Sequence, residues 1–368
     1  MKIVCPKDSL LKGVNISLKA IPSKTTMAIM QCIFINTLSN KITFTSNDGE
    51  LAIETVVEGT IIEPGHIAIE AKIFSEIVRR LPDSDITITT DDKQNVKITC
   101  ERAKFDISGK DGDDFTGLPT IVKDHYISIS QFALKDIIRQ TIFSISENST
   151  NAMMSGELFE IKDNKLQVAS LDGHRISIRR LELKDEYSEG KVIIPGKTLN
   201  EISKILTGGV DDEVLIYFTK NHILFEFDET IVVSRLIEGE YFKINNMISA
   251  DYETRIVINK KELVSCIERS TLLIRENDKK PLIMNITDGV MELKLLSNIG
   301  SLREDIEIIK TGKDICIGFN PLYLLDALRV IDDEAVTLYM VNPKAPCFIK
   351  DDDESYIYLI LPVNFNVN

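Results

Sequence analysis

The sequence predicts an α+β protein of three similar domains. Each domain is two strand–helix–three-strand units, with helices in one layer and sheets in another. Three observations lead there. Helical periodicity is confined to six short windows, and nearly everything else alternates or is β-branched, as in ITFTS, LAIETVV, VLIYF, ILFEF and YIYLIL. One short strand pattern precedes each helical window and about three follow it. The windows fall into two interleaved series starting near 9, 130 and 260 and near 71, 196 and 320, so a segment of about 120–130 residues is written three times. That period is far above the roughly 20–50 residues of small-repeat solenoids, so each repeat is domain-sized.

The elements can be justified in order. Ser9–Ala20 places Leu10, Leu11, Val14 and Leu18 on one helical face. Ala71–Leu81, Ser130–Ser146, Gly196–Leu206, Lys260–Glu276 and Asn320–Ile331 show the same i, i+3, i+4 spacing. The strands leading into the six helices are KIVC, HIAIEA, HYISIS, KVIIPG, RIVIN and DICIGF. Acidic turns close the even-numbered helices at Pro82-Asp83-Ser84-Asp85, Asp211-Asp212-Glu213 and Asp332-Asp333-Glu334. Linkers near Asp113–Asp124, with Gly117 and Pro119, and near Phe242–Glu253 divide the chain into 1–121, 122–248 and 249–368. Three such domains predict pseudo-symmetry and a closed ring.

The 368 residues are 43% apolar and 27% charged, a globular composition. No run approaches the roughly 18 apolar residues of a membrane span, and no membrane partner is expected. The opening Met1-Lys2-Ile3-Val4-Cys5-Pro6 is strand pattern rather than an apolar leader, and a cytoplasmic location is expected. Cysteines at 5, 32, 100, 266, 316 and 347 form no CxxC pair, so neither metal nor redox cofactor is expected. Cys32, Cys100 and Cys316 read as small buried hydrophobes. The run Asp351-Asp352-Asp353-Glu354 lacks the spaced ligands and glycine of a calcium loop and reads as a solvated turn.

A net charge of −14 argues against polyanionic partners only if it is evenly spread. It is not: the helical windows hold fourteen Lys and Arg against seven Asp and Glu, leaving −21 for the rest. Two readings stand. Solvated helix faces favour Lys and Arg, or the helices form a cationic layer that meets a phosphate backbone. Geometry bears on the second. Helices pack about 8–10 Å apart, so six span an arc of only about 60 Å. A duplex with its water layer needs a hole roughly 30–35 Å wide and helix axes on a circle of about 130–140 Å. Twelve helices nearly close that circle, which requires a head-to-tail dimer of six domains.

Several stretches are similar to one family. They are Lys24-Thr25-Thr26-Met27-Ala28-Ile29-Met30, Met154-Ser155-Gly156-Glu157-Leu158-Phe159-Glu160, Ser170-Leu171-Asp172-Gly173-His174-Arg175-Ile176, Ser234-Arg235-Leu236-Ile237-Glu238-Gly239-Glu240-Tyr241, Ile317-Gly318-Phe319-Asn320 and Tyr358-Leu359-Ile360-Leu361-Pro362-Val363. Over its whole length the chain resembles the bacterial DNA polymerase III β subunit family, the sliding clamps. The resemblance implies the DNA-clamp fold, with helices lining the interior of a dimeric ring and sheets outside. It implies a processivity factor without an active site or cofactor. Its partners would be duplex DNA, held topologically and without sequence preference, the polymerase III α subunit, other polymerases, a clamp loader and a second copy of the chain. A topological link suits a modest cationic layer, and tethering raises the local concentration of polymerase at the primer end.

The resemblance also implies site residues. A pocket for partner peptide motifs would take Met154, Leu171, Asp172, Gly173, His174, Arg175 and Ile176, then Phe242 and Met247 from the linker. From the C-terminal strand and tail it would take Leu359, Leu361, Pro362, Val363, Asn364 and Phe365. Ser170, Asp172 and His174 sit at i, i+2, i+4 around a strand turn, a spacing that does not make a catalytic relay. Asp172-Gly173 is equally an ordinary hairpin turn. DNA-facing positions would be Lys24, Lys197 and, in the second-domain loop, Asn148. Lys12, Lys19, Arg79, Arg80, Arg139 and Lys204 follow from the helix-charge argument alone. Phe105, Leu273 and Ile274 match the family's apolar dimer contact, and Leu273 also fits an intradomain core. Tyr241-Phe242 stands where the family usually has Phe-Pro, Asn245-Asn246 where Arg is common, and Asn364 where the tail carries Arg, so this rim is less basic.

Overall fold

The computed structural model describes residues 1–146, 150–275 and 280–365. All six helices form: α1 (Lys7–Ser17), α2 (Ala71–Arg80), α3 (Gln131–Thr141), α4 (Gly196–Ile205), α5 (Lys260–Thr271) and α6 (Pro321–Val330). Their starts have local causes. The Asn259 and Asn320 side chains accept from Glu262 N–H and Leu322 N–H, and Pro321 stands where a helix has no use for a backbone donor. In α2, Phe74 and Val78 lie one turn apart and are fully buried, each contributing about 2 kcal/mol. In α1, a Cβ at Gly13 would lie 2.4 Å from Val57, so glycine lets the helix sit close to the strand Leu51–Val57.

The described residues divide into two compact units rather than along the three sequence segments. The first unit holds residues 1–132 and 201–236. Its five-stranded sheet runs Thr60–Glu63, Lys2–Cys5, Ile86–Thr90, Asn95–Cys100, Ala103–Ser108. Its eight-stranded sheet runs Tyr126–Ser130, Glu213–Phe218, His222–Phe227, Thr230–Arg235, Leu51–Val57, Ile42–Asn47, Cys32–Asn36, His66–Glu70. The junction between sequence segments is an ordinary antiparallel pairing, Thr230 opposite Thr55 and Ser234 opposite Leu51, with the two buried threonine hydroxyls 2.8 Å apart. Ile3, Leu10, Val14, Phe44, Phe74 and Val78 form its core.

The second unit holds residues 133–200 and 237–368. A seven-stranded sheet runs Gly156–Leu171, Arg175–Pro195, Tyr356–Ile360, Cys347–Lys350, Ala335–Met340, Thr254–Asn259, Ile309–Gly312. A four-stranded sheet runs Ser301–Glu307, Val290–Leu296, Leu282–Thr287, Ile315–Phe319. Leu263 and Ile267 of α5 and Leu324 and Leu328 of α6 fill its core. Here too a sheet crosses a segment border, Arg175–Arg179 pairing with Tyr356–Ile360. Continuous sheets explain why compactness does not follow the linkers.

One local expectation changes. The middle segment does not show separate short strands after α3. They fuse into one hairpin of 16 and 21 residues, bulged around Asp163. No Gly or Pro stands between Ile161 and Leu171 to break the strand, and the irregularity is absorbed by Asp163 at φ 57°. Among the described residues no helix is long and apolar enough to cross a membrane.

Candidate functional site

The second unit contains a cavity of about 410 Å³ built around the Asp172-Gly173 turn. The turn is locally determined. Asp172 Oδ1 accepts from His174 N–H at 2.9 Å and Arg175 N–H at 3.1 Å, and Gly173 takes φ 87°. Arg175 then does most of the anchoring. Its guanidinium donates to Asp172 Oδ2 (3.0 Å), to Asp326 Oδ2 on α6 (2.6 Å) and to Phe143 O (2.5 Å). Its Cζ lies 4.4 Å from the Tyr323 ring centre and 5.4 Å from that of Phe143. His174 stacks on Tyr323. These contacts fix the turn to α6 and leave the cavity between the turn, the linker and the last strand.

The walls are Met154, Leu171, Gly173, His174, Arg175, Ile176, Phe242, Met247, Leu359 and Leu361, together with Pro346. The Tyr241 ring, buried beneath, meets Phe242 edge-on at 5.7 Å and sets the wall's angle. Leu361 and Met247 keep 37% and 42% of their surface exposed, unusual for apolar side chains beside a filled core. Apolar walls with polar groups only at His174 and Arg175 suit aliphatic and aromatic side chains of an extended segment.

The proposed set is not all in one place. Asp172 holds the turn from behind and does not line the cavity. The tail leaves at Pro362: Leu361 N–H donates to His174 O, but Val363 N–H donates to Gly318 O. Val363, Asn364 and Phe365 therefore line a different cavity of about 550 Å³, beside Cys316 and Lys344. The Phe365 ring covers Gly318, where a Cβ would come within 2.6 Å of it. Pro346 was not foreseen, since a proline in a loop says nothing about which distant strand it will meet. The Ser170, Asp172 and His174 side chains form no relay: Ser170 Oγ donates to Thr141 O, and Asp172 is taken up by amides and Arg175.

Five of the helix cations named above are held by nearby carboxylates. Arg79 and Arg80 both bind Glu76, Arg139 binds Asp136 and Asp332, Lys204 binds Glu201, and Lys19 lies 3.8 Å from Glu201. Glu76, Asp136 and Glu201 are already subtracted in the net helix charge, whereas Asp332 lies outside the helices and lowers it further at Arg139. Lys12, Lys24 and Lys197 are exposed, Lys24 in the loop after α1 and Lys197 at the start of α4. Asn148 lies outside the described residues. Phe105 is exposed on its strand, whereas Leu273 and Ile274 pack against the core of their own unit and the neighbouring Leu272 is the exposed side chain, at 78%. His66, Asp111 and Asp113 place ligand-type atoms within 4.8 Å of one another, but Asp113 pairs with His66 and Asp111 caps the following turn.

Comparison with known proteins gives this architecture a family. Models of the DNA polymerase III beta subunit match in order: the N-terminal domain over 1–119, the central domain over 128–243 and the C-terminal domain over 245–364. The chain belongs to the DNA polymerase III beta subunit family. The beta sliding clamp of Staphylococcus epidermidis is 32% identical over 374 residues, covering 99% of each chain. A solved family structure from Eubacterium rectale is 62% identical with a TM-score of 0.96, covering 99% of this chain and 100% of that one. The DNA polymerase sliding clamp of Bacillus subtilis also has a TM-score of 0.96, at 32% identity over 100% of both chains. The fold is therefore the three-domain sliding-clamp fold, and the family is one of non-enzymatic processivity factors.

Proposed function

We propose that this chain closes as a head-to-tail dimeric ring around duplex DNA and tethers polymerases through the cavity at the Asp172-Gly173 turn. The observation that carries the reading is that cavity, apolar, partly exposed and held by Arg175. Its partners would be the polymerase III α subunit, other polymerases and a clamp loader, in the cytoplasm. We place the domains at 1–121, 122–248 and 249–368, a division that the family-model matches support. The pocket keeps Met154, Leu171, Ile176, Phe242, Met247, Leu359 and Leu361 as its apolar walls. Asp172 acts as its brace, and the tail beyond Pro362 is a neighbour rather than a wall. Phe105 supports an apolar seam by its exposure, with Leu272 a better partner than the partly buried Leu273 and Ile274.

Calorimetric titration with a Gln-Leu-Ser-Leu-Phe peptide tests the pocket. Saturable binding at one site per chain is expected. Met247→Asp with Leu361→Asp puts charge on two exposed apolar walls and should cost at least about tenfold in affinity, since each loses roughly 1.5 kcal/mol of burial or more. Equal binding by wild type and double variant would remove the peptide from this cavity.

Lys24 and Lys197 are the leading DNA-facing residues. Lys24→Glu with Lys197→Glu is expected to reduce the slope of log affinity against log salt by about 1.8 if each neutralises one phosphate. Fluorescence anisotropy on a labelled duplex measures it. An unchanged slope would take both residues off the DNA-facing surface.

A further inference from the structure

We infer that the first unit carries a second groove for an extended peptide segment, one with an acidic side chain next to a small aliphatic one. The groove, about 500 Å³, lies at the Asp48-Gly49 turn. Its backbone repeats that of the first cavity bond for bond. Asp48 Oδ1 accepts from Glu50 N–H at 2.9 Å and Leu51 N–H at 2.7 Å, as Asp172 does from His174 and Arg175. Gly49 takes φ 94° where Gly173 takes 87°. Arg235 N–H donates to Glu50 O at 3.0 Å, as Leu361 N–H does to His174 O at 2.8 Å. The short helical turn Ala28–Gln31 brings Met30 to this groove as Ala152–Ser155 brings Met154 to the other. Asn47 Nδ2 donates to Thr116 O and so ties the linker, whose Leu118 and Pro119 form the far wall.

The side chains differ, and the difference selects the occupant. Ala52 stands in for Ile176 and Val233 for Leu359, so the floor offers less apolar surface and rewards a large apolar side chain less than the first cavity does. Arg235 stands in for Leu361 at the rim. It is exposed, and its guanidinium has no ion-pair partner among the described residues. His222 lies directly across from it on one neighbouring strand, and Glu50 lies on the other side. A carboxylate is therefore accepted between Arg235 and His222, away from Glu50, with its aliphatic neighbour over Ala52 and Val233. An aromatic-and-leucine motif of the kind suited to the first cavity meets a charge at Arg235 and finds less apolar surface to cover. The two grooves would let one chain hold two unlike partner segments at once. The inference rests on reading the first cavity as a peptide pocket.

The test uses the full chain with its methionine methyls isotope-labelled, so that Met30 reports on this groove and Met154 on the first. The probes are acetyl-Ser-Val-Glu-Leu-Ser-amide, the same peptide with Gln for Glu, and Gln-Leu-Ser-Leu-Phe. The acidic peptide is expected to shift Met30 saturably and to leave Met154 in place. Its Gln form and the Arg235→Gln variant should each lose about tenfold in affinity. Arg235→Gln should leave the Met154 response to Gln-Leu-Ser-Leu-Phe intact, which shows that the variant is folded. No Met30 shift at millimolar acidic peptide, equal binding of the Glu and Gln forms, or binding insensitive to Arg235→Gln each overturns the second groove. Failure of Gln-Leu-Ser-Leu-Phe at Met154 in the wild type overturns the first pocket instead, and the two failures are read from different methyls.

Discussion

Arg175→Met is expected to destabilise the second unit by about 3–5 kcal/mol, the usual cost of removing one partner from a buried ion pair. The Arg175 and Asp172 side chains are 10% and 11% exposed, and the guanidinium also serves Asp326 and the Phe143 carbonyl. Methionine fills much of the volume and supplies none of the five donors. Asp172 keeps its two amide partners, whereas Asp326 and Phe143 O lose the bonds that join α6 and the turn after α3 to the hairpin. Lysine keeps the charge but not the planar fork, so Arg175→Lys should fall between wild type and Met. Asp326→Asn, at a half-exposed carboxylate, should cost only about 1 kcal/mol. Hydrogen exchange of the amides in Tyr356–Ile360, which pair with Arg175–Arg179, measures the change locally. Protection should fall by about two to three and a half orders of magnitude in Arg175→Met. A loss below tenfold would mean that water already shares the pair. Peptide affinity should fall in the same order, because the cavity loses the wall that Arg175 braces.

What the sequence showed and what it hid divide along physical lines. α2 was legible because Phe74, Ile77 and Val78 recur at helical spacing and nothing else in that window competes for the core. The Asp172-Gly173 turn was legible because its hydrogen bonds are local: an Asp side chain reaches the amides two and three residues on wherever the chain goes next. The walls that depend on long-range register needed the family resemblance or were missed. Leu359 and Leu361 enter through pairing with a strand some 180 residues earlier in the chain, and Pro346 enters through a loop. The tail was misplaced because nothing local distinguishes Leu361, which stays at the cavity, from Phe365, which is drawn to the bare backbone at Gly318. Charge counting along helices is incomplete for a related reason. It subtracts Glu76, on which Arg79 and Arg80 both close, but not Asp332, which meets Arg139 from outside any helix.

Glu157 was the least legible residue, and it makes the other large prediction. In Gly156-Glu157-Leu158-Phe159 it reads as the polar half of an alternation, yet it is 0% exposed and neither carboxylate oxygen has a hydrogen-bond partner among the described residues. The Thr141 hydroxyl pulls the carboxyl down slightly but is committed to Ile137 O at 2.7 Å. Tyr241, a titratable group close enough to feel it, is itself pushed up by burial and then by Glu157. Desolvation therefore dominates and raises the carboxyl from 4.5 to about 8. The folded state keeps this proton after the unfolded chain has released it. The stability tied to Glu157 is thus fully present below pH ~4.5 and is lost as pH rises to about 8, by roughly 4–5 kcal/mol in all at 1.36 kcal/mol per pH unit. Glu157→Gln matches the neutral form and does not titrate. Its stability relative to wild type should be near zero at pH 4, rise by about 2 kcal/mol by pH 6 and level off above pH ~8. Exchange of the amides in the paired ends of Gly156–Leu171 and Arg175–Pro195, compared between the two proteins at each pH and corrected for intrinsic rates, isolates this group from every other titration. A difference that stays flat from pH 4 to 8 would mean that the carboxylate finds water in the folded state and is not the buried neutral acid that its surroundings require.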